Sequence, residues 1–199
     1  MVGIPSPFGT SDDDLFDPYG AFVPENVPEP GRFLAGHDVL TGRDHLAFHR
    51  LTRELFEERT VYDMTFGYNL ARLNLDQRHS DAGYRYAVER GGDDAVATDE
   101  SVLRAAFTPT TPFCPQSHTL TTGSFRAWNG LSERHEYDLV RVRVDPMHNR
   151  AGEINERLRG LEETYLETGE IPAESANDTE SNPLAEAVDD EESVPETPF

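Results

Sequence analysis

The chain has 199 residues and carries 38 acidic side chains against 17 basic ones, a formal net charge of -21. All the basic residues are arginine, and lysine is absent. This balance excludes nucleic-acid and anionic-membrane binding, because phosphate contacts need clustered basic side chains. The length suits one domain of ordinary size with tails.

The carboxylates are spread along the whole chain, which predicts a halophilic protein kept hydrated by its own charge rather than one with a local acidic interaction segment. A single cysteine, Cys114, excludes an intramolecular disulfide and fits a reducing, cytoplasmic compartment. Residues 1–10 lack the basic and apolar regions of a signal peptide, and no run approaches the 18 or so apolar residues of a membrane span.

Residues 1–39 read as an irregular Pro/Gly-rich arm. Its aromatics, Phe8, Phe16, Tyr19, Phe22 and Phe33, suit either docking on a folded body or a solvated tail. Residues 44–59 read as an amphipathic helix, with Leu46, Phe48, Leu51, Leu55 and Phe56 at helical spacing. His45 and His49 have the spacing of a helical metal pair, but no third ligand lies nearby, so they read as helix-surface histidines. Residues 60–77 lean to a second helix, although Met64, Phe66 and Tyr68 alternate as a strand would. Residues 83–90 and 103–108 read as two strands joined across an acidic loop at 91–99.

Residues 107–118 hold the cysteine between Pro112 and Pro115. Proline suits the first position of a helix, so Pro115 there would make Cys114 the N-cap of a helix over 117–129. The free N–H groups and the helix dipole would then favour the thiolate. The other reading of a lone cysteine is a small, inert hydrophobe. Leu120, Phe125 and Trp128 mark the helix, and Gly130 its stop. Residues 137–144 alternate cleanly, Val140, Val142 and Val144 on one face and Arg141 and Arg143 on a solvated one. Residues 149–166 form a last helix on Ile154, Leu158, Leu161 and Leu166, and 167–199 read as a disordered acidic tail. The expected fold is α+β: one core domain over 40–166, a small three-stranded mixed sheet with helices packed on one face, flanked by the irregular arm and the tail.

The stretch from Leu103 through Phe107-Thr108-Pro109-Thr110-Thr111-Pro112 to Phe113-Cys114-Pro115 resembles the second strand, Thr/Pro-rich turn and hallmark cysteine of the iron–sulfur cluster assembly domain of SufT- and PaaD-like proteins. Asp145-Pro146-Met147-His148 resembles the Asp-Pro stretch near that domain's end, and the likeness covers roughly residues 83–160. The resemblance implies an adaptor or carrier in the maturation of iron–sulfur proteins, with Cys114 as its functional thiol and Thr111, Pro112, Pro115 and Ser117 as the supporting turn. A cluster takes about four protein ligands. The remaining ones would come from a second protomer or from an iron–sulfur client or assembly partner, with His118 as a further candidate metal ligand.

Two other functions stay open. One is a thiol enzyme with His118, His135 or His148 as base. The other is a non-catalytic structural or interaction protein in which Cys114 is buried and Arg141, Arg143 and the aromatic arm form the contact surface.

Overall fold

The computed structural model describes residues 15–18, 20–91 and 101–171. Phe8, Tyr19, most of the acidic loop at 91–99 and residues 172–199 lie outside the described residues. The fold is α+β, with a mixed four-stranded sheet and a separate two-stranded one. Its elements are β1 (Asp38–Val39), α1 (Gly42–Glu58), β2 (Tyr62–Asp63), β3 (Tyr68–Asn69), β4 (Gly83–Val88), β5 (Val102–Thr108), α2 (Ser117–Asn129), β6 (Leu139–Val144) and α3 (Ala151–Thr168). The sheet order is β1-β4-β5-β6. Strands β4 and β5 pair antiparallel, and β5 and β6 pair parallel across α2. The expected three strands gain a fourth, the two-residue β1 donated by the end of the arm. Among the described residues no helix is long and apolar enough to cross a membrane.

The helical lean over 60–77 is wrong. Tyr62–Asp63 and Tyr68–Asn69 pair as a short hairpin, followed by a 3-10 helix over Leu70–Leu75. Turn chemistry overrides the apolar spacing here. The Asp63 carboxylate accepts the Thr65 and Phe66 N–H groups at 2.8 and 3.1 Å, and Gly67 takes a positive φ of 70°.

Alternation along β4 to β6 sends Tyr84, Tyr86, Leu103, Phe107, Val140 and Val142 into one core with α1 and α2. Trp128 is its centre, edge-on to Tyr84 and Tyr86 with ring centroids 5.1 and 6.2 Å away. A buried polar chain threads this core. Trp128 Nε1 donates to Thr52 Oγ1 at 3.2 Å, the Thr52 and Tyr86 hydroxyls lie 3.3 Å apart, and Tyr86 sits 2.7 Å from His49 Nδ1. His49 Nε2 lies 2.7 Å from the Ala71 carbonyl, which can only accept, so that nitrogen carries the proton and Nδ1 accepts from Tyr86. His45 stacks on His49 at 5.5 Å with its Nδ1 buried and unbonded. The two histidines therefore belong to the core and not to the helix surface. Burial holds both neutral, the His45 pKa lowered to about 3, with His49 and Arg85 adding to it, and that of His49 to about 4.

The opposite sheet face is not an open contact surface either. Arg104 and Arg143 lie under the Phe33 ring of the arm, at 4.9 and 5.5 Å from its centroid, and Arg104 donates to the Phe33 carbonyl at 2.9 Å. Buried Glu162 of α3 reaches both Arg141 and Arg143, at 3.0 and 2.8 Å. The polar alternation of this strand therefore marks charges that are paired and covered, not solvated. The arm docks as well through Phe16, buried edge-on against Tyr68.

Three asparagine carboxamides close backbone groups that no neighbouring strand reaches. Asn74 accepts from Tyr84 N–H at 2.7 Å and donates to its carbonyl at 2.8 Å. Asn129 does the same for Val140, at 2.8 and 2.9 Å, and Asn155 for Val144, at 2.7 and 2.9 Å. Between them Arg143 donates to the Val142 carbonyl at 2.8 Å.

Asn129→Ala is expected to lower stability by about 3 kcal/mol in urea unfolding, because it strands a buried N–H and a buried carbonyl at once. A second prediction concerns pH. Both histidines have folded pKa values below the unfolded value of 6.5, so the unfolded chain binds more protons in acid. Stability is full above that value. It falls by up to about 1.4 kcal/mol per pH unit per histidine as pH drops from there toward 4 and 3. His45→Phe, which keeps the ring stack, should flatten this slope between pH 6.5 and 5 at fixed salt. An unchanged slope would mean that His45 is not one of the groups responsible.

Candidate functional site

Strands β5 and β6 end side by side, Phe107 opposite Val144, so the loops leaving them share one end of the sheet with the amino ends of α2 and α3. Crevices at the carboxyl ends of parallel strands are where α/β sheets place ligands. The β2–β3 hairpin joins them. Met64 N–H donates to Gln116 Oε1 at 3.0 Å, and Gln116 Nε2 donates to the Thr65 hydroxyl. Asn149 N–H donates to the Pro112 carbonyl at 2.9 Å. Three segments, 63–67, 110–116 and 145–150, are thereby tied into one surface.

Cys114 is half-buried in that surface. It is not the N-cap of α2. That position belongs to Gln116, and the helix starts at Ser117. Cys114 to Ser117 form a tight turn closed by Ser117 N–H on the Cys114 carbonyl at 3.3 Å, with Gln116 at φ -86° and ψ -9°. Proline prefers the second position of such a turn. Pro115 therefore sets a turn ahead of the helix, and the N–H expected to face the sulfur bonds the cysteine's own carbonyl.

The Thr111 carbonyl accepts from Cys114 N–H at 3.4 Å. Pro112 anchors the loop to Asn149. The Ser117 hydroxyl is buried with no hydrogen-bond partner, so it does not reach the sulfur. His118 Nε2 is also enclosed and unbonded, and burial, with Arg157 and Arg150 nearby, lowers its pKa. No three His, Cys, Asp or Glu side chains gather as a metal site among the described residues.

Two of the three base candidates, His148 and His135, are committed to backbone. His148 Nδ1 accepts from Arg150 N–H at 3.1 Å, so Nε2 holds the proton and donates to the Cys114 carbonyl at 3.0 Å. His148 thus positions the cysteine turn without touching its sulfur. His135 accepts from Tyr137 N–H at 3.2 Å and donates to the Trp128 carbonyl at 3.0 Å, at the far end of α2.

The apolar character of this end has no signature in the periodicity of the chain. Five large hydrophobics stand exposed among the described residues, and four lie on the tied segments: Met64 at 80%, Phe113 at 74%, Phe66 at 52% and Met147 at 39%. In the sequence Met64 and Phe66 show only a strand-like alternation within a stretch that leans to helix, and Met147 only its place beside Asp145-Pro146. The available signal was the Asp63-x-Thr65 pattern, which favours an Asx-type turn that leaves its apolar neighbours outside.

Gln116→Ala should cut the hairpin loose from α2. The expected result is amide exchange at Met64 faster by about tenfold, with global stability changed by less than about 1.5 kcal/mol, the usual value of one hydrogen bond. Unchanged exchange at Met64 would show that the hairpin is held by something else.

A family model described as a domain of unknown function, DUF7998, matches residues 14–172. No curated protein and no solved structure matches the chain. The match runs from the arm through the last helix, and the chain belongs to the DUF7998 family.

Proposed function

We propose that this protein is a non-catalytic adaptor that docks a partner protein on the loop end around Cys114, and that its partners are iron–sulfur clients or assembly proteins. The observation that carries the docking is the cluster of Met64, Phe66, Phe113 and Met147 on segments stapled by hydrogen bonds. Contiguous exposed apolar surface on a soluble body marks an interaction site. Methionine and phenylalanine are among the side chains enriched at interfaces.

The partner class rests on the resemblance around Phe113-Cys114-Pro115. Among the described residues no three His, Cys, Asp or Glu side chains gather as a metal site, so a cluster with its four or so protein ligands would have to be shared. Cys114 would supply one thiolate from the middle of the docking surface, and the partner or a second protomer the rest. His148 holds the cysteine backbone in place through its Nε2–H.

The same four side chains favour a second reading, an interaction protein whose thiol does no chemistry. Anaerobic loading with ferrous iron and sulfide, followed by transfer to an apo-ferredoxin, separates the two. Visible absorption from the loaded chain that is lost in Cys114→Ala is the expected result. Met64→Ser with Phe113→Ser should load normally and transfer about tenfold more slowly, as two lost anchor contacts would give. Loading undiminished in Cys114→Ala overturns the cluster role and leaves the second reading. Transfer undiminished in the double variant overturns the docking surface.

A further inference from the structure

The chain has three methionines, and the two that the structure describes, Met64 and Met147, both stand on the loop end. They are 80% and 39% exposed. Methionine is ordinarily among the most buried residue types. Here every buried hydrophobic among the described residues is of another type. Leucine has nearly the same volume and would serve as an apolar contact without a thioether. The placement therefore puts sulfur chemistry on the surface and keeps it out of the core.

Neither side chain holds the backbone in place. Met64 N–H donates to Gln116 Oε1 at 3.0 Å, and Met147 N–H donates to Asp145 Oδ1 at 2.9 Å. Both bonds come from the main chain, so a change at either sulfur leaves the segments tied. What changes is the surface they present. Oxidation turns the flexible apolar side chain into a polar, chiral sulfoxide, which disrupts methionine-rich contacts and is reversible by reductases.

We propose, on the docking reading above, that Met64 and Met147 are a paired oxidation site through which a hydroperoxide turns the loop end off as a docking surface. With hydrogen peroxide the balance is simple. The sulfur gives up two electrons, the O–O bond breaks, one oxygen forms the S=O bond, and the other leaves as water with both protons. A thioether has no proton to lose, so the step runs without a base, whereas a thiol reacts as its thiolate. Cys114 takes no part. Met64, the more exposed, reacts before Met147.

The test uses the full chain with Cys114 blocked as a mixed disulfide, treated with hydrogen peroxide and then freed with dithiothreitol, which leaves sulfoxides in place. Peptide mass mapping should find one added oxygen at Met64 before Met147 while the chain is folded. Retention on a phenyl column reads exposed apolar surface without any partner, and elution should shift to higher polarity, that is, to earlier release. The thermal midpoint should move by less than about 2 °C, as for a surface change in a chain of this size. Cluster loading should be unchanged, and transfer to apo-ferredoxin should slow by about tenfold. Reductases for the two sulfoxide epimers should restore both retention and transfer. Met64→Leu with Met147→Leu should behave as the native chain and ignore the same treatment.

Unchanged retention once both methionines are oxidised overturns the proposal. So does oxidation that requires unfolding, or an equal loss in the double leucine variant. Transfer slowed in Met64→Ser with Phe113→Ser but not by oxidation overturns the switch alone. Transfer slowed by neither overturns the docking surface with it. A native chain that does not load overturns the cluster role only, because mapping and retention need no cluster.

Discussion

A four-stranded open sheet has two edges, and every backbone N–H and carbonyl along them needs a partner once helices bury it. This requirement organises the molecule. The outer edge of β6 is met largely by side chains in place of another strand. Asn129 on α2 serves Val140, Arg143 serves Val142, and Asn155 on α3 serves Val144. Each carboxamide presents a donor beside an acceptor, as a peptide unit does, so it replaces a residue of a missing strand. Asn74 does so at the start of β4. Its approach is possible because the neighbouring residue is Gly83, where a Cβ would stand 2.3 Å from the Asn74 oxygen. Gly83 also holds a φ of 116°, which side chains rarely adopt.

The caps do more than satisfy an edge. Two of them lie on the helices that flank the functional end, so α2 and α3 are indexed to β6 by directional bonds as well as by packing. The loops that begin those helices inherit that placement. Asn149 closes on Pro112, His148 on Cys114, and Gln116 on the hairpin. A surface assembled from three distant segments thereby becomes a single patch. Its exposed apolar side chains stand on loops held by the hydrogen bonds of Met64, Cys114 and Asn149. Preorganisation of this kind lowers the entropic cost of association.

The periodic elements were legible in the sequence. Residues 117–129 and 137–144 show helical and strand patterns that the structure keeps nearly to the residue, because one face of each is buried. What failed did so where a side chain works on the backbone locally or across the fold. The hairpin at 62–69 depends on Asp63 accepting two amides, which outweighs the spacing of Leu70 and Leu73. Cys114-Pro115-Gln116 forms a turn ahead of the helix, where the proline pattern alone also allowed a capped start. Arg141 and Arg143 read as solvated because alternation records polarity and not coverage. Glu162, some 20 residues away, and Phe33, over 100 residues away, are what cover them. The asparagine caps have no local signature, since each partner is ten or eleven residues distant.

The acidity bears on binding in a way that composition alone does not show. A surface dense in carboxylates repels an acidic partner nearly everywhere. The loop end differs from that surface in presenting the exposed apolar side chains of Met64, Phe66, Phe113 and Met147. Orientation on the protein is then chosen largely by exclusion, with like-charge approach disfavoured at every other face. An attractive site needs only modest strength under that condition. On the proposed reading, the four apolar side chains of the loop end would define where a partner sits, beside the half-buried Cys114.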